Sequence, residues 1–343
     1  MRIVFLIFSF YLSSVSVAQE VVKQGDFLGA ETIDFLPDWF KTTFMDLSED
    51  LEEANDKGRH VMIYFHQNGC PYCAKLVKDN FHDKKLVAKL QKDFDVIETN
   101  IWGDTGLSDW TGREFTEKEF SAHMKIQFTP TLVFLNPQGR TLLRLNGYQS
   151  IDKMHTTLDY IANKVYLKES YADYLNKLKK NKTGKLNSHT IFASPPHLLM
   201  RSENLPAQKV LAVFFEEPNC TQCDFFHAEL MPLEQTQDYL QQMQVVRLNA
   251  LSNEKLITPS GKRTTAKYWY EALKLTYKPA IVFFDKTGNE IIRKDAYFKQ
   301  YHLHSIMDYV LTGAYKTQPN FQRYIEHKSD KLREQGITVD IWK

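Results

Sequence analysis

The chain has 343 residues, 43% of them hydrophobic and 25% charged. That is the composition of packed globular protein with room for two or three domains, and it excludes a chain disordered throughout. Against 43 Lys and Arg stand 42 Asp and Glu, for a formal charge of +1, so no global positive field points to nucleic acid as a partner.

Residues 1–18 place Arg2 before the apolar run Ile3-Val4-Phe5-Leu6-Ile7-Phe8 and end in small residues at Ala18. This is the pattern of a secretory signal peptide with cleavage after Ala18. The apolar run is shorter than the ~20 residues that span a bilayer, and no later stretch is long and apolar enough, so no transmembrane span is expected in the mature protein.

The first predicted strand is Val61-Met62-Ile63-Tyr64-Phe65, β-branched and aromatic as a buried strand should be. Cys70-Pro71-Tyr72-Cys73 follows, with Pro71 where a helix accepts proline, and Leu76, Val77 and Phe81 then recur at helical spacing. A second strand is expected from Val96 to Ile101, then a helix whose entry, Thr116-x-x-Glu119, reads as a capping box. Thr129-Pro130 opens another strand, Thr131-Leu132-Val133-Phe134. The turn Pro137-Gln138-Gly139 leads into its antiparallel partner, and an amphipathic helix near residues 151–166 closes the unit. Asn176 to Ser188 reads as the end of a bridging helix and a polar linker.

At an offset of about 150 residues the landmarks return in the same order. Val210 to Phe215 before Cys220-Thr221-Gln222-Cys223 answers the first strand, Val245 to Leu248 the second, Lys278-Pro279-Ala280-Ile281-Val282-Phe283 the third, and Lys286-Thr287-Gly288 the turn. Asn100 and Asn249, Gly112 and Gly261, and Tyr148 and Tyr297 also correspond. The order in each unit is strand, helix, strand, helix, hairpin, helix, the last helix of the second unit lying near residues 301–312. Gln318 to Lys343 has no counterpart and should form a helix through Phe321, Tyr324, Ile325 and Leu332 that docks on the second unit.

All four cysteines lie in the two C-x-x-C pairs. A stapling disulfide normally closes a long loop, so a spacing of two residues points instead to reactive pairs. Zinc is the rival use of paired cysteines, but the two pairs lie far further apart than the ~15–20 residues of zinc ribbons.

A C-x-x-C at a strand-to-helix junction with a later X-Pro that starts a strand resembles the thioredoxin superfamily. More narrowly, Leu47 through Gly58 to Asn68-Gly69-Cys70, with the tail from Gln318, resembles the exported thioredoxin-related proteins of bacteria, among them the SoxW-like group. The resemblance implies an α/β chain of two tandem thioredoxin-like domains, each a central mixed sheet flanked by helices, plus a C-terminal helical extension. The corresponding boundaries are residues 30–168 for the first domain, 169–188 for a helix and linker, 189–316 for the second domain and 317–343 for the extension. Two departures stand out. Thioredoxins carry a buried acid six residues before the first cysteine and an aromatic just before it, where this chain has Tyr64 and Gly69, then Phe214 and Asn219. The second centre also lacks the proline between its cysteines, and Lys278 replaces Thr129.

A thiolate is the attacking species, and a helix N-terminus favours it through unpaired N–H groups and the dipole. Cys70 and Cys220 are therefore the expected nucleophiles, with Cys73 and Cys223, one turn on, resolving the mixed disulfide. In this fold the X-Pro bonds before Pro130 and Pro279 are expected to be cis, leaving the backbones of Thr129 and Lys278 to pair with an extended substrate segment. Tyr72 is expected to touch substrate. His66 and Gln67, with Glu216 and Glu217 at the matching places, read as solvated strand ends, with tuning of cysteine basicity as the alternative. Trp102, Trp110, His82 and His123 read as packing or surface residues.

The leading expectation is an exported thiol–disulfide oxidoreductase that acts on protein thiols and disulfides. It would need no cofactor beyond its redox-active disulfides, and the second centre could relay electrons to or from the first. A membrane or periplasmic redox partner is expected, and the absence of a retention signal at Ile341-Trp342-Lys343 favours the periplasm. The alternatives are a chaperone-like, client-binding protein without redox turnover and, third, metal handling through the cysteine pairs.

Overall fold

The computed structural model describes residues 25–29, 36–178 and 184–343, so the expected signal peptide lies outside the described residues. After β1 (Phe27–Leu28), the first unit opens with α1 (Leu47–Asp56), capped by the Asp46 carboxylate, which accepts from the amides of Ser48 and Glu49. Next come β2 (His60–His66), α2 (Pro71–Asp79), α3 (Lys84–Asp93), β3 (Phe94–Asn100), the short hairpin β4 (Gly106–Ser108) and β5 (Glu114–Thr116), α4 (Glu117–His123), β6 (Thr131–Leu135), β7 (Thr141–Asn146) and α5 (Ile151–Ala162). The sheet order is β3-β2-β6-β7, with β2 and β3 parallel and the other pairs antiparallel. The capping box at the start of α4 forms as expected between Thr116 and Glu119.

Because strand side chains alternate between faces, β2 builds two cores at once. Met62 and Tyr64 join Leu76, Phe81, Phe134 and Leu158 on one side, while Val61, Ile63 and Phe65 join Ile97, Phe120 and Val133 on the other. Burial on both faces explains why β2 is apolar throughout rather than alternating.

After α6 (Tyr171–Leu178), the second unit runs β8 (His197–Leu198), β9 (Leu211–Glu216), α7 (Thr221–Phe225), α8 (Glu234–Gln241), β10 (Gln244–Asn249), β11 (Lys255–Ile257), β12 (Arg263–Thr265), α9 (Ala266–Ala272), β13 (Ala280–Phe284), β14 (Glu290–Lys294) and α10 (Gln300–Leu311). Its sheet, β10-β9-β13-β14, repeats the first in order and direction. Even the register shift recurs, between Phe134 and Leu135 in one hairpin and between Phe283 and Phe284 in the other. The copies differ after the second C-x-x-C, where α7 passes into a π-helical turn, Phe226–Leu230. At β8, which adds to β11 in parallel over two residues, the first unit has only a single parallel bridge, from Asp46 to Ser108.

The C-terminal extension is α11 (Phe321–Glu334), capped by Asn320, followed by β15 (Val339–Asp340). As expected, α11 docks on the second unit, through Phe321 and Ile325. Its first turn also reaches the first unit. Gln322 donates to the Gln127 carbonyl at 2.9 Å and accepts from Gln67 at 2.8 Å, and the Arg323 guanidinium lies 4.3 Å from the centre of the Trp102 ring.

The two units pack closely. Phe128, just before Thr129-Pro130, belongs to the core of the second unit, with its ring centre 5.1 Å from Phe298 and 5.5 Å from Phe321. Beside it, Gly147 has φ of +69°, and a Cβ there would stand 2.7 Å from the Ala296 methyl. Only glycine meets both conditions. No helix among the described residues is long and apolar enough to cross a membrane.

Candidate functional site

Each C-x-x-C begins a helix at the end of a central strand. Cys70 is the N-cap of α2 and Cys220 the N-cap of α7, and each Sγ accepts the amide of its partner, Cys73 or Cys223, at 3.1 Å. Both pairs are joined as disulfides. The residues just before the nucleophiles adopt left-handed backbone, Gly69 at φ +69° and Asn219 at φ +56°. Glycine and asparagine are the residues that take this conformation most readily, which accounts for the departure from an aromatic at both places.

The peptide bonds before Pro130 and Pro279 are cis, as expected, and so is the Pro195-Pro196 bond, which no motif in the sequence marks. The Lys278 carbonyl lies 3.7 Å from Cys220 Sγ, so the backbone before Pro279 abuts the second centre. Thr129, its counterpart, is buried.

The polar strand ends beside the centres are not solvated, contrary to expectation. His66 is buried with its Nε2 2.6 Å from Glu98 and its ring stacked on Tyr64, and Gln67 is tied to Gln322 and to the Trp102 indole. Glu216 is fully buried and sits 2.9 Å from His227 Nε2. The Glu217 carboxylate lies 3.0 Å from the Lys278 ammonium, with both side chains buried. Viewed along its own strand each polar end looks solvated, but its partner lies on a different element: β3 for His66, the π-helical turn for Glu216, and the loop before Pro279 for Glu217.

Tyr72 is also placed differently. Expected to touch substrate, it is only 3% exposed. Its hydroxyl accepts from the Lys299 amide at 3.4 Å, and its ring meets His302 and Trp342 edge-on, each at 4.9 Å. Burial pushes its phenol well above the usual range. The position between the first pair of cysteines is thus filled by the chain itself. Between the second pair, by contrast, Thr221 and Gln222 are exposed.

Beside the second centre lies a buried cationic group of which the sequence reading singles out only Lys278. Lys294 donates to the Pro279 carbonyl at 3.0 Å, and Lys153 of α5 reaches across to the Thr276 carbonyl at 3.1 Å. Both ammoniums lie about the Tyr277 ring, at 4.9 and 5.0 Å from its centre. The Asp295 carboxylate accepts from the amides of Thr276 and Tyr277 at 2.9 and 2.8 Å. Desolvation lowers Lys153 and Lys278 to about 8 and Lys294 to about 7, and raises Asp295. The signal is present in the repeat. Lys294 pairs with Ile281 as Leu145 pairs with Leu132, so it is a lysine at a core position. Among the described residues no cluster of His, Cys, Asp and Glu is arranged to hold a metal ion.

The thioredoxin-like domain family matches the chain twice, over residues 47–162 and 202–311. No curated relative matches it. Among solved structures it is similar to a thioredoxin-fold protein from Helicobacter pylori, at 24% identity over 35% of this chain and 79% of that one, with a TM-score of 0.31. A thioredoxin from Thermus thermophilus gives 24% identity over 36% and 90%, with a TM-score of 0.29. The first two thioredoxin domains of Saccharomyces cerevisiae Eps1p give 13% identity over 75% and 93%, with a TM-score of 0.25. These likenesses concern the fold, and none singles out the SoxW-like group. With two family matches that together span more than half of the 343 residues, the chain belongs to the thioredoxin-like domain family.

Proposed function

We propose that the protein is an exported, periplasmic thiol–disulfide oxidoreductase that exchanges disulfides with protein substrates, and that its two centres pass electrons between them. The carrying observation is the second centre: a disulfide at a helix N-terminus, with Cys220 Sγ 3.7 Å from the carbonyl before Pro279. That arrangement sets the reacting sulfur beside a backbone segment on which an extended client can lie.

In the reducing direction the Cys220 thiolate attacks one sulfur of a client disulfide, and the other client sulfur leaves as a thiolate and takes a proton. The Cys223 thiolate then attacks Cys220 Sγ, releasing the second client thiol and closing the Cys220–Cys223 disulfide. Two electrons pass to the client, and the reverse sequence oxidises a client dithiol. Cys70 and Cys73 take the same roles in the first unit. The relay is supported by a segment that both centres share. Lys299 meets Tyr72 through its amide and the Phe225 ring through its ammonium, at 4.8 Å. Exchange between the centres would use the same chemistry, with one dithiol reducing the other disulfide, and a membrane or periplasmic partner would supply or remove the net electrons.

The test is to equilibrate the protein across graded thiol–disulfide buffers, alkylate it, and read each pair by mass spectrometry. Potentials near roughly −270 mV would mark a reductase and values toward about −120 mV an oxidant. If neither pair cycles reversibly, the proposal fails. Cys70→Ser and Cys220→Ser should each abolish exchange at their own centre while leaving the fold intact.

A further inference from the structure

The first centre is covered by parts of the chain that its own unit does not supply. After α11 the chain turns back along the N-terminal segment. The Val339 amide donates to the Asp26 carbonyl at 2.9 Å and the Ile341 amide to Leu28 at 3.3 Å, while β15 pairs in parallel with β1. The Trp342 indole N–H donates to the Gly29 carbonyl at 3.0 Å, and a Cβ on Gly29 would fall 2.1 Å from that ring. On the other side the Lys343 carbonyl accepts from the Gln300 amide at 3.2 Å.

Held from both sides, the Trp342 ring rests edge-on against Tyr72. With Tyr148 and Tyr297 it packs against the cluster of Cys70, Tyr72 and Cys73. Cys70 is 3% exposed and Cys73 not at all. Thiol–disulfide exchange needs an incoming sulfur to reach a disulfide sulfur, so access is part of the reactivity. The fastening is slight, since two strands of two residues each are far below the size of a sheet that is stable alone. It is the kind of contact that opens locally while the rest of the fold stays closed.

We propose that the segment Val339–Lys343 is a strap that gates the Cys70–Cys73 centre. Seated, it shuts the first centre to clients; released, it opens that centre and leaves the second one as it was. The gate matters for function through the exchange proposed above, but access can be measured without any client. A water-soluble phosphine attacks one sulfur of an accessible disulfide and expels the other as a thiolate. Water then attacks the phosphorus and breaks the S–P bond, releasing the second sulfur as a thiol and leaving phosphine oxide, so the phosphine supplies both electrons.

The experiment treats the oxidised protein with such a phosphine, quenches with an alkylating agent at intervals, and follows the two pairs separately by mass spectrometry. Trp342→Ala should speed reduction of Cys70–Cys73 by roughly tenfold, the order expected for removing part of one large apolar contact. The Cys220–Cys223 rate should not change. Val339→Pro, which removes the amide bonded to Asp26, should act the same way through a different contact. Unchanged reduction of the first pair in both variants would overturn the strap. So would equal acceleration of both pairs, which would mean general loosening. A protein with gated access but no turnover on protein disulfides would leave the strap standing and remove the proposed activity.

Discussion

Replacing Lys278 by Met should destabilise the protein out of proportion to the small change in shape. The Lys278 ammonium and the Glu217 carboxylate stand 3.0 Å apart with side-chain exposures of 8% and 3%, so neither has much water to fall back on. The ammonium also lies 4.7 Å from the centre of the Tyr270 ring. Removing one member of such a pair strands the other charge and costs about 3–5 kcal/mol, whereas removing both can be nearly neutral. Lys278→Met alone should therefore lose about 3 kcal/mol or more, and Lys278→Met with Glu217→Gln should recover all but about 1 kcal/mol of it. Urea denaturation followed by circular dichroism, run on the wild type, both single variants and the double variant, closes the cycle. A single-variant cost below about 1 kcal/mol with no coupling would show that the pair is not a desolvated one and would refute the reasoning.

Gly147→Ala should cost about 1–2 kcal/mol from its left-handed backbone alone. A further loss should come from the 2.7 Å approach to Ala296, and Ala296→Gly should relieve only that second part, as read from melting temperatures. Stability should rise with pH from about 8 to about 10, because Lys153 and Lys294, which hydrogen-bond only to carbonyls, release protons on folding that the unfolded chain keeps. The sign follows from folded values that lie below the ordinary 10.5. Lys294→Met should flatten that rise in denaturation midpoints taken across the range, and an unaltered slope would exclude Lys294 as its source.

The repeat, the two centres and the cis bonds before Pro130 and Pro279 are legible in the sequence because each rests on local pattern or on a spacing that recurs. The hairpins β4–β5 and β11–β12 are not, since strands of three residues are too short to carry a period. What the sequence hides at the site is pairing over distance. His66 and Glu216 occupy matched strand ends, yet one meets Glu98 on β3 and the other His227 on the π-helical turn. Nothing around Tyr72 announces that Trp342 closes over it. Lys294 is more readable, because comparison with Leu145 exposes a charge at a buried strand position.

Phe128 shows what the duplication has become. A residue of the first unit, it completes the hydrophobic core of the second, beside Phe298 and Phe321. Cut out alone, the second unit would keep a hole lined by aromatic rings, and the first would expose a phenylalanine to water. The halves look like two beads on a string, but they have lost the independence of beads. Neither can be transplanted or replaced by a related module unless the partner surface moves with it, so later change in one half is constrained by the other.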